Sequence, residues 1–298
     1  MNTKTWLVYP AALAAIVVSA LMATGSPQAH QTTGTPSAWK PNGSCVRTGD
    51  AAGVTVSAKT INAKITSMVR ANDSDSDIES TLARDWCLTR ISKAPALSLA
   101  ATSSADVTWT LLTINYDNVT GWYYAYADWK WNNSHYSSEV SLGCQINGAA
   151  DGKLDGVGIR LSGGQYEIRP DGYDATAWGN PSLDSYINDY GTWSMAQSTV
   201  SQYGVGFTGQ DNVRKMENSS NACPGSYDIT TWGGSIVLGF QRLNGSCANT
   251  QVFGDYVHTW STTSVSSIGA SITGFSIGWV SAGHSWPKQT AGGTAVTC

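Results

Sequence analysis

Beyond residue 30 the chain has three histidines, His135, His258 and His284, that can act as a base near neutral pH. His258 sits in DYVHTW, where strand alternation puts it on one face with Tyr256 and Trp260. A tyrosine and a histidine beside an acid can move a proton during polysaccharide cleavage, and glycoside hydrolysis needs two carboxylates across a cleft. The glutamates are Glu79, Glu139, Glu167 and Glu217. Glu79 reads as a helix cap and Glu167 as a cross-strand partner of Arg160. That leaves Glu139, in HYSSEVSLG, and Asp128 as acids without a structural task. No GxSxG elbow and no HExxH helix occurs, so His258, Tyr256 and Glu139 are the weak catalytic candidates.

Metal-ligand spacing is poor. Asp73, Asp75, Asp77 and Glu79 alternate like the opening of a calcium loop, yet Ile78 and Arg84 stand where an EF-hand needs Gly and Glu. These acids read instead as the start of a helix. Asp151 and Asp155, in NGAADGKLDGVG, read as turn formers, with calcium as the alternative. No metal or other cofactor is expected beyond this weak calcium reading. If the leader is cut after Ala29, His30 becomes N-terminal, and its amine and imidazole can chelate copper.

The strongest binding signal is aromatic. GWYYAYADWKWNN (121–133) follows VTWTLLTINY (107–116) across a five-residue loop, the pattern of a hairpin. With Tyr116 opposite Trp122, alternation sends Trp109, Trp129 and Trp131 to the core. Trp122, Tyr124 and Tyr126 then form a row on the other face, with Asp128 at its polar end. Neighbours in that row are about 7 Å apart, a spacing that suits successive sugar rings. The competing expectation is that a helix covers the row.

These side chains need a scaffold. NDSDSDIESTLARDWCLTRI predicts one helix over 76–90, with Ser76 and Glu79 as a capping box and Ile78, Leu82 and Trp86 as an apolar stripe. The rest reads as strands. GVGIRL (156–161) and YEIR (166–169) suggest a hairpin turning at Gly163-Gly164, with Arg160 opposite Glu167 and Ile159 opposite Ile168. SIVLGFQRL (235–243) reads as a central strand that turns at Asn244-Gly245 into QVFGDYVHTWS (251–261). The apolar phase changes within SIGASITGFSIGW, which predicts a β-bulge near Thr273-Gly274. The fold class is therefore mainly β: an antiparallel, jelly-roll-like sandwich with one N-terminal helix near 76–90.

Composition sets the compartment. One lysine, an apolar run from Trp6 to Ala23 and small residues thereafter read as a signal peptide over 1–29, cut after Gly25 or Ala29. An arm over 30–50 and a single β-rich domain over 51–298 follow, with no membrane span after cleavage. Cys45, Cys87, Cys144, Cys223, Cys247 and Cys298 all lie past the leader, an even count that predicts disulfides in a secreted, extracellular protein. Charged residues are 13% of the chain, about half the usual share, and the net charge is -4 with no basic cluster. Nucleic acid is excluded as a partner on that ground. A secreted binder of a glycan or cell-envelope polymer fits best. The alternatives are a polysaccharide-acting hydrolase or lyase on a jelly-roll scaffold and a β-pore-forming toxin, whose membrane hairpins STTSVSSIGASITG resembles.

Overall fold

The computed structural model describes residues 45–93, 107–131, 149–162, 166–179, 191–215, 227–229, 231–243, 251–259, 264–271, 274–281 and 285–289. Two helices come first, α1 (Ala58–Arg70) and α2 (Asp75–Trp86). The strands follow: β1 (Leu88–Lys93), β2 (Val107–Asp117), β3 (Tyr123–Trp131), β4 (Ala149–Ser162), β5 (Tyr166–Trp178), β6 (Thr192–Ser194), β7 (Ala196–Ser201), β8 (Gly204–Lys215), β9 (Tyr227–Ile229), β10 (Gly233–Arg242), β11 (Gln251–Thr259), β12 (Ser264–Ala270), β13 (Phe275–Ser281) and β14 (Ser285–Gln289). One antiparallel sheet runs β1-β2-β3-β10-β5-β6. A second runs β14-β11-β4-β8-β7, with β9 paired to β8. Their inner faces share one core that includes Trp109, Trp129, Trp131, Ile159, Phe207, Ile236, Phe240 and Tyr256. The fold is thus a mainly β, antiparallel sandwich. Helices cover the outer face of the first sheet, and β12–β13 packs against β4, β7 and β8 of the second.

The helical layer is larger than expected. Beside the 76–90 segment stands α1, whose Ile61, Ile65 and Met68 form a buried stripe and whose Ser57 makes a capping box with Thr60. Its two threonines, two isoleucines and Val69 disguise it, because β-branched residues lower helix propensity without forbidding a helix that packs well. In α2 the stripe Ile78, Leu82, Trp86 is buried as expected, but the capping box is Ser74 with Asp77. The helix stops at Cys87, which is left-handed at φ 59°. Arg90 is therefore on β1 rather than at the helix end, and it pairs with Glu79.

Two expected hairpins are arches instead. β4 pairs with β8 and β11, whereas β5 pairs with β10 and β6, so Arg160 does not face Glu167; Glu167 lies opposite Gln241. Likewise β10 is the central strand anticipated, between β3 and β5, but β11 belongs to the other sheet. Alternation is satisfied equally by strands side by side and by strands facing across a core, and Leu161 and Tyr166 meet in the core by the second route. The phase change in SIGASITGFSIGW is a turn between two strands, with Ile268 opposite Ile277 and the Ser271 N–H donating to the Gly274 carbonyl at 2.8 Å.

Cys45 and Cys87 form a disulfide across 42 residues. It ties the start of the domain to the α2–β1 junction, where Nη2 of Arg47 also donates to both carboxylate oxygens of the buried Asp117, at 2.9 and 2.8 Å. Cys144, Cys223, Cys247 and Cys298 lie outside the described residues. A Cys45→Ser, Cys87→Ser double variant should lose about 2–4 kcal/mol of stability, the usual range for closing such a loop. Urea denaturation of both proteins measures it, and an unchanged midpoint would show that the Arg47–Asp117 pair alone pins the segment.

Candidate functional site

The β2–β3 hairpin forms, with a register shift between Trp109 and Leu111. On the tryptophan side the expected pairs hold: Trp109 with Trp129, Thr108 with Lys130 and Val107 with Trp131. Toward the loop the register slips by one, so Tyr116 meets Tyr123, Asn115 meets Tyr124 and Thr113 meets Tyr126. The slip sends Leu112 and Ile114 into the core between the sheets, beside Ala127 and Ala125, which alternation along β3 already placed there. Tyr124 and Tyr126 lie on the opposite face, as alternation along β3 predicts, and there α1 and α2 cover them completely, each 0% exposed, as the competing expectation had it. Burial pushes the Tyr124 hydroxyl up to about 12 and the Tyr126 hydroxyl well above its usual value. Asp128 is buried too, opposite Ser235 rather than at a wet rim. Trp122 is half-buried, with the Arg169 guanidinium 5.4 Å from its ring. The expected aromatic row is therefore the floor under two helices, and its tyrosine rings cannot meet a ligand.

The catalytic candidates converge, but inside the sandwich. Asp155 on β4 accepts from the Tyr256 hydroxyl at 2.7 Å and, at 3.0 Å, faces Nδ1 of His258. Its second oxygen accepts from the Thr259 backbone N–H at 2.8 Å and from the Thr259 hydroxyl at 3.3 Å. Asp211 on β8 brings an oxygen to 4.0 Å from the same His258 nitrogen. The Trp131 ring stands edge-on to the imidazole at 5.0 Å. Burial, reinforced by the Asp155 and Asp211 charges, raises the Tyr256 hydroxyl well above its usual range. Asp155 is thus no turn former: it is an inward strand residue, wholly buried like Asp211, Tyr256 and His258. A substrate cannot reach these atoms in this arrangement. Glu139, His30, His135 and His284 lie outside the described residues.

An open cleft of about 410 Å³ lies elsewhere, between α1 and the β5–β6 edge. Helical spacing aligns Lys59, Ala63, Thr66, Ser67 and Arg70 along one wall. The other wall comes from Asp174 and Thr176 on β5 and from Thr192 and Ser194 on β6. Beneath them runs a polar network. Asn62 donates to Asp174 at 2.7 Å and to Thr176 at 3.1 Å, and the Ser235 hydroxyl donates to the Asn62 carbonyl at 2.6 Å. Thr66 meets Ser235 at 2.8 Å. The network fixes the floor and occupies the Asp174 carboxylate. No signal for this cleft was visible in the sequence, because its walls come from a helix and an edge strand more than a hundred residues apart. No protein-family model matches the chain, and no curated protein does.

Proposed function

We propose that the chain is an exported binding protein that holds an acidic cell-envelope glycan in the cleft between α1 and β5–β6. One observation carries this reading: Lys59 and Arg70 border the same cavity as the hydroxyls of Ser67, Thr192 and Ser194. Hydroxyls and cations together suit a ligand that is both polyhydroxylated and anionic. The volume lies within the usual 300–1,000 Å³ range of ligand sites. Asp174, the acid of the cleft, is engaged by Asn62 beneath the two basic side chains. The Cys45–Cys87 disulfide fits export, since such bonds persist in oxidising compartments. Among the described residues no helix is long and apolar enough to cross a membrane. The seven-residue strands β12 and β13 are shorter than the roughly 9–11 residues a membrane strand needs, which favours binding over pore formation.

Binding of the mature protein to an array of neutral and acidic envelope glycans tests the proposal. Acidic glycans should be retained and released by salt, and Lys59→Ala with Arg70→Ala together should weaken binding by roughly tenfold or more. Trp122→Ala should leave affinity unchanged. Undiminished binding in the double variant, or loss in the Trp122 variant alone, places the ligand on the aromatic hairpin instead.

A further inference from the structure

We infer that Asp155, Asp211 and His258 form a binding site for one divalent transition cation, most suitably Zn²⁺, that ties three neighbouring strands of the second sheet together. The three side chains come from β4, β8 and β11, which are adjacent in the order β11-β4-β8, and all face inward. One ligand atom from each lies within 4.8 Å of the others. The His258 nitrogen is 3.0 Å from Asp155 and 4.0 Å from Asp211. An ion about 2.0–2.2 Å from each ligand has tetrahedral edges of about 3.3–3.5 Å, a value that these two separations bracket.

Charge points the same way. Two carboxylates and an imidazole, each 0% exposed, sit among Trp131, Tyr256 and the rest of the core. Within this trio a proton on His258 balances one carboxylate, whereas a divalent ion balances both and leaves the imidazole neutral. Buried charges are stable only when paired or bound to metal. The surroundings have the form of an outer shell. Tyr256 and Thr259 donate three hydrogen bonds to Asp155, at 2.7, 2.8 and 3.3 Å, and so fix the direction in which it presents its remaining lone pairs. An imidazole among carboxylates selects zinc, manganese or iron over calcium or magnesium. On binding, Nδ1 of His258 offers its lone pair to the ion in place of its hydrogen bond to Asp155, so the ion is released as pH falls.

Elemental analysis of the full mature protein, purified without a metal-affinity tag, should find about one equivalent of metal, mostly zinc. Chelation in mild denaturant should lower Tm by roughly 5 °C or more, and Zn²⁺ alone should restore it. Asp211→Asn keeps the side-chain shape and should abolish that zinc-dependent recovery. If this variant does not fold, the wild-type measurements decide. Metal below about a tenth of an equivalent, together with a Tm that added Zn²⁺, Mn²⁺ and Fe²⁺ leave unmoved, overturns the inference.

Discussion

Replacing Trp129 with alanine should lower the unfolding free energy by about 3–5 kcal/mol, the range for emptying a large core site. Trp129 is 0% exposed and lies at the centre of the sandwich. Its ring meets Trp109 edge-on at 6.0 Å on its own sheet and Tyr256 at 5.6 Å on the facing one. Beneath it β10 supplies Gly234, where a Cβ would collide with the indole. The missing side chain of Gly234 and the large one of Trp129 are thus one packing unit. The indole N–H has no hydrogen-bond acceptor among the described residues, which costs the tryptophan about 1–3 kcal/mol. The net loss belongs in the lower half of the range. Gly234→Ala alone should cost about 1–3 kcal/mol by overpacking. In the Trp129→Ala background it should cost far less, because the clash has gone. Equilibrium unfolding of the four proteins measures the coupling. Simple additivity of the two changes would refute this account of the packing.

Local signals were legible in the sequence where one element carried them alone. The α2 stripe of Ile78, Leu82 and Trp86 is buried as its spacing required. The continuous apolar run of β10 does mark a central strand. What failed was the choice among partners that satisfy the same pattern. Ile159 and Leu161 alternate correctly for a hairpin with β5, and equally for a core facing β5 across the sandwich. Only the chain's return through the other sheet decides, and that information is not local. The register shift near Leu111 had the same character. One extra residue in β2 exchanged the faces of the β2 side chains nearer the loop, and so put Leu112 and Ile114 in the core and Thr113 and Asn115 beside Tyr126 and Tyr124, which β3 had placed on the outer face by alternation alone.

The buried centre was half legible. Tyr256 and His258 share a strand face, as alternation says, and they do converge on a carboxylate. That carboxylate is Asp155, whose glycine-rich surroundings suggested a turn. Gly156 and Gly158 have a different cause: they lie on the outward face of β4, where β12 and β13 press Val265 and Phe275 against them. Glycines between strands therefore marked close approach of another layer, a signal that a linear reading assigns to loops. The same layer governs a titration on the outer face of β11.

Stability should fall as pH rises from 5 to 8, and Asp255 is the reason. Asp255 on β11 lies opposite Gly158 and is only 6% exposed. Burial pushes its carboxyl up to about 8, although the Arg160 charge pulls the other way. Arg160 cannot neutralise it fully, because it is itself buried, with Phe253 3.7 Å and Phe275 5.8 Å from its guanidinium. Burial lowers the Arg160 value accordingly. The folded pKa of Asp255 stands above the ordinary 3.8, so the folded state binds the extra proton between those values. Its stabilising effect is complete below pH 3.8 and is lost as pH rises through 8. At about 1.4 kcal/mol per unit the loss from pH 5 to 8 reaches about 4 kcal/mol, and water entering beside Asp255 reduces it to on the order of 2–4. Asp50 and Asp85 have lowered values, so their contributions vanish only as pH falls below the ordinary 3.8, outside this window. Thermal melts of the chelator-treated protein at pH 5, 6, 7 and 8, where the inferred metal plays no part, should show Tm dropping by roughly 5–10 °C for wild type. In Asp255→Asn, which is neutral throughout, that slope should disappear. Parallel slopes in the two proteins would mean that another group controls the titration and that Asp255 stays hydrated in the folded chain.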